Sequence, residues 1–318
     1  MKSKPRIVVI GSLVFDFVAK APRLPRKGET VLGDLFGMFP GGKGANQAVQ
    51  AGRLGAEVYL VGRVGDDFLA DRLLGSLTES GVATDFIQRD RSVNTASCCI
   101  HVDHQGNNAI IIVPEANLAC STDDVDRAAQ VLRSADMVLC QLEIPIPTVA
   151  HALAIASRSR VPAILNPAPA QEVPAALLSQ VSILTPNETE AEFLTGCAIP
   201  TAGDCWAAGA AERLLALGPP TVIITRGECG AYLATRSSQR LIPAYPVAVV
   251  DTTAAGDAFN GALAVAVAEG VKIEEAIAFA NAAGALATTR AGAQPSLARR
   301  EELERFRSGV GERGDLAP

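Results

Sequence analysis

The stretch Asp251-Thr252-Thr253-Ala254-Ala255-Gly256-Asp257-Ala258-Phe259-Asn260-Gly261 sets a carboxylate beneath a row of backbone N–H groups at the start of a helix. Residues 258–269 read as a helix of small residues stopped by Gly270. The amides of Ala254 to Asp257 therefore fall at its N-terminus, where unpaired donors and the positive dipole end favour an anion. Ala254, Ala255 and Gly256 leave room for a phosphate. Asp257 could accept a proton from an attacking hydroxyl while the adjacent amides stabilise charge on a transferred phosphoryl group. From this segment alone an ordinary helix cap is the simpler reading of Asp257; the rest of the chain reverses it.

Working outward, apolar runs of strand length recur at 7–10, 57–62, 136–141, 162–165, 181–184 and 221–225. Between most of them lie segments of helical period, with helices expected at 44–54, 67–80, 122–133, 147–159, 187–195, 204–217, 257–269 and 273–289, punctuated by signals such as Gly55, Gly81 and Asp123. This alternation predicts an α/β fold with a largely parallel sheet covered by helices on both faces. Two segments break it, 14–39 and 95–113. In the second, two β-like runs flank Asp103-His104-Gln105-Gly106, a hairpin turn. Both segments read as strands that leave the main sheet and form a small separate sheet, a lid able to exclude water from a site below.

A chain of 318 residues with a net charge of −6 can bury a large core and carries no basic footprint for nucleic acid. Its seven cysteines never fall as C-x-x-C and mostly interrupt apolar runs, which predicts buried reduced thiols in a cytoplasmic protein. Cys98 and Cys99 are neighbours in a strand, so their side chains point to opposite faces and are not expected to bond. His101 and His104 gain no further ligand cluster, and the hairpin explains them without a metal. Ile7 to Ile10 is too short for a signal sequence and reads as the first strand. No run suits a membrane span, and the tail from Arg299 is expected to fray.

Three further motifs carry chemistry. Gly41-Gly42-Lys43-Gly44-Ala45-Asn46-Gln47-Ala48 combines glycines that allow close backbone approach with Lys43 and Asn46 at a helix opening, suited to a polyhydroxylated or anionic ligand. Gly37 and Gly42-Lys43 imitate P-loop spacing, but Gly44 stands where a P-loop needs a Ser or Thr hydroxyl. Thr185-Pro186-Asn187-Glu188-Thr189-Glu190-Ala191-Glu192 follows a strand and starts a helix, so Asn187 and Glu190 lie one turn apart, either as a cap or as holders of the waters of Mg²⁺. Ile224 to Gly230 joins two strands by a glycine-bearing turn that could line a nucleotide.

In this order, together with Gly11-Ser12 and Asp16, Gly28-Glu29-Thr30, Gln141-Leu142-Glu143, Asn166 to Ala170 and Gly292 to Ser296, these motifs resemble the ribokinase-like carbohydrate kinase family over nearly the whole chain. The resemblance implies a three-layer α/β/α core with a mostly parallel central sheet, formed by 1–13, 44–94 and 114–318 and binding nucleotide and substrate, under a β-sheet lid of 14–43 and 95–113. It implies ATP-dependent phosphorylation of the C5 hydroxyl of D-ribose to D-ribose 5-phosphate. Asp257 would be the general base, with the backbone of Ala254, Ala255, Gly256 and Asp257 as the anion hole. Ser12, Val14, Asp16, Gly41, Gly42, Lys43, Asn46 and Glu143, with Asp257, would line the sugar. Asn187, Thr225, Arg226, Gly227, Glu228, Gly230, Gly256 and Asn281 would bind the nucleotide, with Glu190 in the Mg²⁺ water network. Asp251, Thr253, Ala287, Arg290, Gly292 and Ser296 would surround a monovalent cation, usually K⁺, and two lids would pair in a homodimer.

One position departs from the pattern. Members acting on ribose usually carry Asn where this chain has Val14, and a buried hydroxyl left unpaired costs roughly 1–3 kcal/mol, about 5- to 150-fold in affinity. A 2-deoxyribose kinase, or a kinase of another sugar or a nucleoside, is therefore the alternative within the class, and a non-catalytic sugar-binding sensor the alternative outside it.

Overall fold

The computed structural model describes residues 4–198 and 205–311. Its main sheet has ten strands. The first, Arg6–Ile10, lies near the middle, with Glu57–Gly65 on one side and Met137–Cys140 on the other, both parallel to it. Outward from Met137–Cys140 come Ala163–Leu165, Ile183–Leu184 and Thr221–Thr225, all parallel, and then Ala231–Thr235 and Gln239–Ile242, which are antiparallel. On the other side Glu57–Gly65 pairs with the short strands Val82–Ala83 and Ile87–Asp90.

The strands are apolar at successive positions because both faces are covered. Ile7 and Val9, Met137 and Leu139, Ile164 and Ile223 enter one core. Val8 and Ile10, Val138 and Cys140, Leu165 and Ile224 enter the other. A period of two along each strand thus feeds two hydrophobic layers. The first is closed by the helices Lys43–Arg53, Ala255–Ala268 and Ile273–Thr288, the second by Ile146–Arg158 and Cys205–Ala216 among others. Ala255–Ala268 sits between two helices, and its many alanines let all three axes approach closely.

A separate four-stranded sheet holds Val14–Lys20, Leu35–Gly41, Ser97–Val102 and Asn108–Val113, in the spatial order 35–41, 14–20, 97–102, 108–113. The expected hairpin at 103–106 is present. Asp103 accepts from the Gln105 and Asn107 N–H groups and from the Asn107 side chain, which closes the turn.

Several expectations need correction. The helix expected from 257 or 258 begins at Ala255, because Ala254 takes a left-handed φ of 59° and serves as its cap. The helix expected over 122–133 breaks at Ala128, and its cap is Ser121, not Asp123. The tail from Arg299 is a helix, Arg300–Gly311, held by Arg300 on the Leu54 carbonyl and by the ion pairs Arg300–Glu269 and Glu302–Arg290. Its last residues, and the first of the helix expected at 204–217, lie outside the described residues. Of the cysteines, Cys98, Cys120 and Cys140 are buried free thiols as expected, but Cys99 and Cys229 are exposed. Cys98 and Cys99 do face opposite ways.

Candidate active site

The strand order makes the site. The chain leaves Arg6–Ile10 toward one edge of the sheet and later returns to pair on its other side, so the loops diverge at this strand's C-terminal end and open a crevice. Five of the chemistry-bearing segments sit at such ends: Gly11-Ser12, Gln141 to Glu143, Asn166, Thr185 to Asn187, and Thr225 to Gly230.

The turn Gly41–Gly44 packs directly on the chain leaving the first strand. Gly42 has a φ of 90°, and a Cβ there would lie 2.7 Å from the Val14 nitrogen; one on Gly44 would lie 2.5 Å from the Ser12 nitrogen. These glycines bring the backbone close to itself, whereas the motif alone suggested approach to a ligand. The tight fit places Glu143 on the turn, where it accepts from the Lys43 N–H at 3.0 Å and from the Ser12 hydroxyl. Asp16 reaches back over Gly41 from the neighbouring strand Val14–Lys20. Val14, 2% exposed, packs with Ala96 and Cys98 at the base of the four-stranded sheet.

Asp257 lies in the first turn of Ala255–Ala268 and is buried. Its Oδ2 accepts from Asn46 Nδ2 at 2.9 Å and its Oδ1 from Gln47 Nε2 at 2.9 Å. Burial pushes this carboxyl up, Lys43 and the two amides pull it down, and Glu143 adds to the rise, with a net upward displacement. Asp16 is pushed up to about 7, by burial first and then by the charges of Glu143 and Asp257. Burial alone would lower Lys43, yet Asp257, Glu143 and Glu190 outweigh it and hold the ammonium above its ordinary value. One cation thus stands among the carboxylates of Asp257, Glu143 and Glu190. Among the described residues Asn46 Oδ1 is buried without a hydrogen-bond partner.

Beyond Asp257 a cavity of about 660 Å³ is lined by Asn187, Thr225, Gly227, Glu228, Gly230, Gly256 and Asn281 of the expected nucleotide set. Arg226 does not line it; its guanidinium pairs with Glu188 at 3.4 Å. Asn281 donates to the Ile242 and Pro243 carbonyls at 3.1 and 3.0 Å, which anchors one wall. Sequence reasoning missed the apolar lining from Tyr245, Val247 and Val249, since 243–250 is an irregular segment with no period to read, and from Phe259, a helix position that reads as ordinary core. At the end of the cavity nearest Asp257 the Ala255 N–H donates to the Thr252 carbonyl, while those of Gly256 and Asp257 emerge from the first turn, where an α-helix offers no acceptor. A Cβ on Gly256 would meet nothing within 4 Å.

Asn187 and Glu190 form a reciprocal cap: the Asn187 side chain accepts from the Glu190 N–H at 2.8 Å and Glu190 from the Asn187 N–H at 2.9 Å. Asp251 ties two loops, accepting from Thr253 N–H at 2.9 Å and from Gly292 N–H at 2.8 Å. Ser296 donates to the Ala293 carbonyl, the Ala287 carbonyl accepts from Arg290 N–H, and the Arg290 side chain pairs with Glu302. Among the described residues no three His, Cys, Asp or Glu side chains could hold a metal together, so a cation at these loops would rest largely on backbone carbonyls.

A polar cluster beside a small sheet, a buried carboxylate at a helix start and a cavity beyond it are the arrangement in which the family match falls. The chain belongs to the pfkB family of carbohydrate kinases, which it matches over residues 4–300. It is 41% identical to the ribokinase of Bacillus subtilis over 302 residues, spanning 95% of this chain and 99% of that protein. The deoxyribokinase of Salmonella typhi is 35% identical over 303 residues, spanning 95% and 98%. The solved structure of Arabidopsis thaliana ribokinase complexed with ribose and ATP superposes with a TM-score of 0.88 at 34% identity, covering 95% of this chain and 98% of that one. The family resemblance and the fold class expected from the sequence are both borne out.

Proposed function

We propose that the protein transfers the γ-phosphoryl group of ATP to the C5 hydroxyl of D-ribose, giving D-ribose 5-phosphate and ADP. The observation that carries this reading is Asp257, a buried carboxylate that accepts two side-chain amides where a hydroxyl pocket meets the larger cavity. The C5 hydroxyl donates its proton to Asp257 and its oxygen forms a bond to the γ-phosphorus. The bond from that phosphorus to the β–γ bridging oxygen breaks, and ADP leaves. Gly256 and Asp257 N–H groups stabilise the charge carried by the transferred group. Asp16, Lys43, Asn46 and Glu143, with the Gly41–Gly42 and Ser12 backbone, orient the sugar. Asn187, Thr225 to Gly230 and Asn281 hold the nucleotide.

Glu190 suits Mg²⁺, because it is a buried carboxylate with one oxygen engaged in the cap and hard oxygen donors are what that ion takes. Mg²⁺ neutralises phosphate charge when bound. A monovalent cation, K⁺ in our reading, suits the loops that Asp251 joins, with carbonyl oxygens of Thr253, Ala287, Arg290 and Gly292 and with Ser296 around it. Residues 14–43 and 95–113 act as the lid over a core of 1–13, 44–94 and 114–318, and lids of two copies pair in a homodimer. The free thiols suit the cytoplasm, and among the described residues no helix is long and apolar enough to cross a membrane.

Val14 and the deoxyribokinase relative support 2-deoxyribose as a second reading. ADP release measured across concentrations of D-ribose and 2-deoxy-D-ribose separates them. Ribose is expected to have the higher kcat/KM by about tenfold, the scale set by one paired hydroxyl. A higher value for deoxyribose makes Val14 the specificity switch, and turnover of neither ends the pentose reading.

A further inference from the structure

Behind Asp257 lies a chain of buried amides that the sugar and nucleotide roles do not use. Gln47 and Gln141 are both 0% exposed. Gln47 Nε2 donates to Asp257 Oδ1 at 2.9 Å and to Asn166 Oδ1 at 3.2 Å, while its Oε1 accepts from Gln141 Nε2 at 2.6 Å. Both N–H groups and the oxygen of one amide are therefore occupied. Its orientation is dictated at the far end as well. An ionised Asp257 can only accept, and Asn166 must present its oxygen to Gln47 because its own Nδ2 donates to the Thr185 carbonyl at 3.0 Å. A flipped Gln47 would set its oxygen against two acceptors. The helix that carries it also packs on the helix of Asp257 without slack: a Cβ on Gly261 would lie 2.7 Å from the Gln47 carbonyl oxygen.

We propose that Gln47 is a positioning residue of the phosphoryl transfer: its amide, locked by Gln141 and Asn166, holds the Asp257 carboxylate in the one orientation from which it takes the acceptor's proton. The inference rests on Asp257 acting as general base. Gln47 touches no substrate and works through Asp257 alone. Because it donates to the charged carboxylate, it also opposes the upward push of burial on that group.

The test is the pH dependence of kcat at saturating sugar, ATP and Mg²⁺ for the wild type, Gln47→Leu, Gln141→Leu and Asp257→Asn. At saturation the profile reports the complex, so protonation of Asp16 in the free enzyme does not enter. Gln47→Leu is expected to lower kcat by about 10- to 100-fold with sugar KM changed less than about threefold. It is also expected to move the acid limb to higher pH by about one unit. Gln141→Leu, which only unlocks Gln47, moves the limb the same way by less. Acid limbs unmoved in both variants, with kcat falling only as far as the folded fraction falls, overturn the proposal. Should Gln47→Leu fail to fold, the limb of Gln141→Leu decides alone. Wild-type turnover in Asp257→Asn removes the general base itself and this inference with it; an inactive Asp257→Asn beside unmoved limbs removes the inference only.

Discussion

Asp16 stands in strand Val14–Lys20 of the small sheet with its carboxyl pushed up to about 7 by burial and by the charges of Glu143 and Asp257. On the proposed sugar role of Asp16, a hydroxyl that donates to this carboxylate favours the charged form, so binding near and below that pH expels a proton. Sugar affinity is expected to rise with pH up to about 7 and then level. Calorimetry of the sugar in buffers of different ionisation enthalpy should show proton release at pH 6 and none at pH 8. Asp16→Asn should abolish the release; release that persists in that variant assigns the proton elsewhere. Single residues were unequally legible. Asp257, Lys43 and Asn46, which the structure brings together, stood out as candidates because helix-opening motifs announce themselves locally. Gln47 lay in plain view in the same motif, yet nothing in its neighbours along the chain says that its amide would meet Asp257, 210 positions away. Asn187 and Glu190 could be read as a cap or as holders of a hydrated ion, and the structure makes the cap real.

At the scale of elements, the four-stranded sheet is rooted by one side chain. Asn117, 1% exposed, accepts from the Leu13 N–H and donates to the Leu13 carbonyl, each at 3.0 Å, where the chain departs for Val14–Lys20. It follows the small sheet's last strand Asn108–Val113, so the chain entering that sheet and the chain leaving it meet at this contact. Asn117→Ala leaves two buried backbone groups unpaired and is expected to lower stability by about 2–4 kcal/mol, from roughly 1–3 kcal/mol per buried group less partial compensation. Denaturant titration measures it, and a loss below about 0.5 kcal/mol would mean the contact is dispensable. Strand and helix positions were legible because burial on both faces leaves uninterrupted apolar runs between amphipathic ones. The start of the helix at Ala255 was not, since a left-handed Ala254 is a conformation that its sequence disfavours and the surrounding loops impose. The final helix was missed because its charges are satisfied by residues remote in sequence, Glu269 and the Leu54 carbonyl among them.

For the whole molecule, the lid sheet ends in the edge strand Asn108–Val113, whose Ile110, Ile111 and Ile112 are 55%, 64% and 48% exposed. An apolar edge of this kind invites pairing. On the proposed lid-to-lid dimer, light scattering should give about twice the 33.0 kDa of one chain, and Ile111→Lys should shift the mass toward that of the monomer; a monomeric wild type refutes the dimer. The chain's local chemistry was enough to specify a parallel sheet with two covered faces, a separate small sheet, and a carboxylate below helix-terminal amides, because periodicity, turn residues and capping act over a few neighbours. It was not enough to bring Gln47, Gln141 and Asn166 together behind Asp257, to turn the Gly41–Gly44 glycines toward their own backbone, or to line the larger cavity with Tyr245 and Phe259. Those arrangements depend on how the strands are ordered in space, and that order is set by packing between segments far apart in the chain.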